Sequence, residues 1–184
     1  MACPNRVEVT AGFCILWALM ILMLPLKFLV AAALAALFHE ICHALAVKLM
    51  GGRILGMTLD AGGLSMEVSD LNGWQELICA LAGPGGSFLL AMAPIPTVRI
   101  CAVVQGLFNL IPLTPLDGGR ALGCTLDLVV PGYREQIRRG VEVVVLLGFL
   151  VLIPALELGM GAFACWMALA MRKFPCKEGR KAVQ

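Results

Sequence analysis

From Phe28 to Met50 the chain is apolar over a length that suits a membrane crossing, yet this run holds both of the protein's histidines, His39 and His43. About 20 predominantly apolar residues suffice to cross a hydrocarbon layer as a helix, so the stretch predicts a membrane helix, stopped by Gly51-Gly52. Ionisable side chains at such depth are costly, and their presence is a functional hypothesis by default. The pattern His39-Glu40-Ile41-Cys42-His43 is H-E-x-x-H. Positions four apart share a helix face, so the two imidazoles can offer nitrogens to one tetrahedral zinc ion, with Glu40 beside it.

The rest of the composition supports the same class. Hydrophobic residues make up 60% of the chain, charged residues 14%, and the mean hydropathy is +0.92. This predicts an all-α integral membrane protein. A length of 184 residues allows one membrane-embedded domain, residues 1–184, so any chemistry must come from the bundle itself. Net charge is +2, with the basic residues scattered over loops and tail, which excludes a nucleic-acid-binding surface. The eight cysteines show no C-x-x-C spacing and read as small packing residues; Cys42 points off the His39/His43 face. A signal peptide over Ala11 to Leu24, with Ala31 to Ala33 as cleavage region, is disfavoured because apolar character resumes at Phe28.

Taken in order, the chain predicts about six transmembrane helices. Segment one covers Ala11 to Leu24 and segment two Phe28 to Met50. Between Arg53 and Gln75, partial alternation around Leu59 to Val68 predicts short strands or a re-entrant hairpin. Segment three, Glu76 to Pro94, is interrupted by Ala82-Gly83-Pro84-Gly85-Gly86-Ser87, where Pro84 is expected to kink or break the helix. Segment four would run from Thr97 to Val130, roughly 50 Å as one helix and too long for a single span. The break is expected in Asn109 to Arg120. Irregular backbone at membrane depth is tolerated only when buried or lining a wet cavity, which makes Asp117 a functional candidate. Segments five, Gly140 to Leu156, and six, Leu158 to Met171, complete the bundle, with Glu142 and Glu157 read as interfacial. Only Lys27 and Arg99 fall on the opposite face from the other basic residues, so the positive-inside rule makes both termini cytoplasmic. His39 and His43 then lie about two to three turns inside the end of segment two.

Two histidines leave a zinc ion short of a third protein ligand, and with no other histidine present the acids must supply it; Asp117 is the best placed. Three ligands with an open fourth position characterise catalytic zinc. Zinc in such a site activates water and polarises a carbonyl, while Glu40 serves as general acid/base, which together hydrolyse a peptide bond.

The pairing of FHEICHA on one apolar helix with FNLIPLTPLDGGR downstream resembles the site-2 protease family of intramembrane zinc metalloproteases. Within it, the short N-terminal spans and the AGP segment look most like the bacterial sporulation branch that processes a membrane-bound pro-sigma factor. The resemblance covers about Leu24 to Leu122. It implies that His39, His43 and Asp117 bind one zinc ion, that Glu40 is the catalytic acid/base, and that Asn109 positions the substrate. It places the catalytic core at about residues 28–130, in a multi-pass protein of the cell membrane whose partners are the lipid bilayer, a membrane-associated peptide substrate such as a pro-sigma or anti-sigma factor, and inhibitory membrane proteins. The Leu59 to Val68 stretch would pair with an extended substrate by strand addition. The sequence departs from the family at Thr114, where many members have proline, and at Ser87, where many have asparagine. No PDZ or nucleotide-sensing CBS domain is expected. The alternative is a catalytically silent membrane interaction or chaperone homologue of the same fold, against which intact Glu40 speaks. A metal transporter would need a ladder of ligands where this chain has one cluster, and a protease class with Glu as third ligand fits less well than Asp117.

Overall fold

A computed structural model describes residues 6–60, 63–69 and 71–152. Their elements are β1 (Arg6–Val9), α1 (Ala11–Met23), α2 (Leu26–Leu49), β2 (Arg53–Asp60), β3 (Gly63–Ser69), α3 (Gly73–Leu90), α4 (Pro96–Asn109), α5 (Asp117–Val129) and α6 (Arg134–Leu152). The expected segment six and Glu157 lie outside the described residues.

The chain is mostly helical, and its helices are dressed for an apolar solvent. On α2 the outward residues Leu34, Leu37, Ile41, Leu45 and Leu49 are exposed, while the inward positions Ala31, Ala35, His39, His43, Ala46 and Val47 are buried. Both faces are largely apolar; what distinguishes them is size, because small residues let helices approach closely where lipid removes the usual hydrophobic contrast. Ala35 and Ala102 are fully buried, on α2 and α4. Among the described residues α2 alone is long and apolar enough to cross a bilayer by itself, with α1 a shorter apolar helix.

Helix α2 ends at Gly51-Gly52, as its sequence requires. Gly51 has φ +81°, Gly52 N–H donates to the Val47 carbonyl at 2.9 Å and Gly51 N–H to that of Lys48 at 3.1 Å, the two bonds of a Schellman motif. Helix α3 starts with a capping box: Gln75 N–H donates to Asn72 Oδ1 and Asn72 N–H to Gln75 Oε1. The same Gln75 side chain donates to the Met50 carbonyl at 3.1 Å, tying the start of α3 to the end of α2.

Between these helices in the chain lies the hairpin β2-β3, which β1 joins to make a sheet of order β1-β2-β3, with β2 and β3 antiparallel and β1 parallel to β2. The hairpin falls where alternation predicts strands. Strand β1, in contrast, has no counterpart in the sequence reading, since four residues are too few to carry a period and its pairing with Gly56 to Leu59 is non-local.

Two further outcomes shape the site. Helix α3 continues through Pro84, so the expected break does not occur. The flanking Gly83, Gly85 and Gly86 give the backbone latitude to absorb the lost N–H and the crowding of the carbonyl four residues back, as membrane helices commonly do. The long run from Thr97 divides into α4 and α5, with Leu110–Leu116 between them. This connection is anchored by Leu113 and Leu116, packed against Phe108, Ile111, Val145 and Phe149. A methyl group on Gly119 would stand 2.5 Å from the Leu113 carbonyl carbon and oxygen, so the start of α5 packs directly on the loop backbone.

Candidate metal centre

The α2 face that carries His39 and His43 packs on α3, and α5 runs antiparallel along α3, with Leu128 beside Gly73 and Cys124 beside Glu76. This pairing brings the first residue of α5, Asp117, level with the histidines. Asp117 Oδ2 lies 3.0 Å from His39 Nε2 and 3.0 Å from His43 Nε2, and the two Nε2 atoms are 3.1 Å apart. All three residues are buried. Asp117 also sits at a helix N-terminus, where the macrodipole favours an anion.

The hydrogen bonds behind the rings decide what this triangle can hold. His43 Nδ1 lies 2.7 Å from the Cys79 carbonyl, which can only accept, so Nδ1 carries the proton and Nε2 is the atom turned inward, its lone pair free for a metal when the ring is neutral. His39 Nδ1 lies 2.8 Å from the Ser87 hydroxyl, which can accept in the same way. With both Nδ1 atoms protonated and the rings neutral, two Nε2 lone pairs and the Asp117 carboxylate oxygen face one another at about 3 Å, a donor set that suits a cation. In a tetrahedral zinc site with bonds of 2.0–2.1 Å, ligand atoms stand about 3.3 Å apart, so the observed triangle needs to open by only a few tenths of an ångström.

Gly83 supplies the remaining room. A Cβ built there would overlap His43 Nε2 and lie 2.6 Å from His39 Nε2, so the absent side chain leaves space over both nitrogens. The donor set, the second hydrogen bonds and the space all suit one zinc ion.

These three residues border a cavity of roughly 200 Å³, which Glu40, Asn109 and Arg120 also line. Leu64, Met66 and Val68, alternate residues on β3, form part of its wall. Strand β3 is an edge of the sheet. Asn109 Nδ2 donates to the Gln105 carbonyl at 3.1 Å, fixing its carboxamide at the cavity. Thus the structure gathers every site residue expected from sequence around one space. It adds Ser87, the Cys79 carbonyl, Gly83 and Arg120. The signal for the first three was the row of small residues in α3, whose buried face includes Ala80, Gly83 and Ser87.

A second cluster braces the loop before Asp117. Glu142 Oε1 accepts from Thr114 Oγ1 at 2.8 Å and pairs with Arg138 Nη1 at 2.6 Å, while Arg138 also holds Glu135. Glu142, read from sequence as interfacial, is partly buried and bonded to the connection that leads to Asp117. Glu135, exposed at the start of α6, is held below the usual carboxylate range by hydrogen bonds from Arg139 and Arg138.

Comparison with known proteins points the same way. A family model described as peptidase M50B-like matches residues 10–109, just over half of the chain; that span contains His39, Glu40 and His43 and stops short of Asp117. A curated protein of Synechocystis sp. named "Putative zinc metalloprotease" is 34% identical over 102 residues, covering 46% of this chain and 27% of its own length. The chain therefore spans about a quarter of that relative. The solved site-2 protease from Methanocaldococcus jannaschii has the same fold, with a TM-score of 0.66 at 21% identity, over 93% of this chain and 89% of that one.

Proposed function

The chain belongs to the peptidase M50B-like family and is a membrane protein, and from that premise we propose that it is an intramembrane zinc metalloendopeptidase. The observation that carries the reading is the convergence of His39 Nε2, His43 Nε2 and Asp117 Oδ2 within about 3 Å of one another, beside Glu40 in one cavity. His39, His43 and Asp117 hold a single zinc ion, and Ser87 and the Cys79 carbonyl fix the two rings. When bound, zinc polarises the peptide carbonyl and acidifies water. Glu40 takes a proton from the attacking water as the new C–O bond forms and gives it to the amine as the C–N bond breaks.

A helical substrate hides its peptide bonds, so the segment must be extended for attack. Edge strand β3 supports that role: its open side can take a further strand, and Leu64, Met66 and Val68 offer apolar contacts along the cavity. Asn109 positions the bound backbone. The substrate class is a membrane-associated peptide, with a pro-sigma or anti-sigma factor as the specific candidate. The protein is multi-pass, both termini cytoplasmic, and residues 28–130 form the catalytic core.

The test is a cleavage assay with single-span substrates in the same membrane. Glu40→Gln protein should retain zinc and cut nothing. Cleavage by that variant at the parental rate would refute the mechanism.

A further inference from the structure

Arg120 lines the cavity together with Glu40 and Asp117, and the chemistry described so far leaves it without a task. It follows Asp117 by three residues, so it lies on the same face of α5, about 4.5 Å further along the axis. Because α5 runs towards the end of α3 that carries Glu76, Arg120 stands between the metal centre and that end of the cavity.

Three observations bear on its role. Arg134, Arg138 and Arg139 each pair with a carboxylate within 3 Å, whereas Arg120 has no carboxylate within 4 Å among the described residues. Its charge sits in the first turn of α5, where the helix dipole disfavours a cation. Glu76, the remaining carboxylate on the cavity, lies against Cys124 Sγ at 3.7 Å and does not reach Arg120. Arg120 is exposed and acts on Glu40 without a direct ion pair; a guanidinium with no carboxylate within 4 Å among the described residues, at the border of a cavity with an apolar β3 wall, is open to an anion that arrives from outside.

We infer that Arg120 is a specificity-determining residue: it receives an Asp or Glu side chain of the peptide near the scissile bond. This rests on reading the cavity as the place where the peptide lies. The β3 wall reads apolar side chains along the strand, and Arg120 reads one carboxylate through a charge-assisted, bidentate pair.

The experiment is equilibrium binding to the full chain carrying Glu40→Gln, in nanodiscs of neutral lipid, so that recognition is measured without turnover. The probes are single-span peptides in which one Asp is moved through successive central positions, each with an Asn and a Lys twin. At the best position the Asp peptide should bind about tenfold or more tightly than its Asn twin. Adding Arg120→Gln should abolish that preference, Arg120→Lys should keep part of it, and Arg120→Glu should pass it to the Lys twin. Equal binding of Asp and Asn twins at every position, or a preference that survives Arg120→Gln, overturns the inference. A preference that appears only with anionic lipid also overturns it, assigning Arg120 to headgroups. If the Glu40→Gln protein shows the preference while the parent cuts none of the peptides, Arg120 keeps its role and the protease reading fails.

Discussion

Gly83→Ala should empty the metal centre while leaving the helix that carries it better formed. In an ordinary helix Gly→Ala is favourable by up to about 1 kcal/mol, so a loss of function here must come from where the methyl goes. At Gly83 the new Cβ overlaps His43 Nε2 and stands 2.6 Å from His39 Nε2. Non-bonded contacts of a methyl group need more than 3 Å, so both rings would have to retreat. His43 is held from behind by the Cys79 carbonyl at 2.7 Å and His39 by Ser87 at 2.8 Å, and retreat breaks those bonds. Losses of supporting contacts alone weaken metal sites by 10–100-fold, and here the ligand triangle is displaced as well; a fall in zinc affinity of about 100-fold is expected. Gly85→Ala is the matched control, since a Cβ there meets nothing within 4 Å. The assay is competitive zinc titration against a chromophoric chelator, run beside thermal unfolding. Gly85→Ala should bind zinc like the parent and melt no lower. Zinc affinity of Gly83→Ala within twofold of the parent would refute the placement of the ion.

Ser87→Ala removes the partner of His39 Nδ1 and should lower zinc affinity by about tenfold without changing the helix content, as read by chelator titration and circular dichroism. Glu142→Ala leaves Thr114 and the partly buried Arg138 without their shared acceptor and should destabilise the protein by about 1–3 kcal/mol, seen as a lower midpoint of thermal unfolding in detergent. Unchanged melting would show that the cluster does not brace the loop.

The halves of the site were legible to different degrees. H-E-x-x-H is local: helical geometry alone places His39 and His43 on one face, and small inward residues against large outward ones follow from lipid as solvent. Asp117 was reachable because a run too long for one helix has to break, and Asn109 to Arg120 holds the residues that break it. What sequence could not supply is level. That Asp117 meets the histidines follows from α5 lying antiparallel along α3 with Leu128 at Gly73 and Cys124 at Glu76, a long-range register without a local pattern. Pro84 shows the converse, a local signal for a break in a helix that nonetheless continues, beside three neighbouring glycines. The roles of Ser87 and Gly83 could not be read from the small-residue stretch itself, because their chemistry exists only once the imidazoles lie against them. Strand β1 was hidden for the same reason, being defined by its partner β2.

The claim on which the account depends is that two motifs, 74 residues apart from His43 to Asp117, hold one ion. Zinc content of purified Asp117→Ala, measured beside the parent and Glu142→Ala, tests it most directly. The account predicts one zinc per chain in the parent and in Glu142→Ala, and a near-complete loss in Asp117→Ala. Full zinc retention in Asp117→Ala would contradict it.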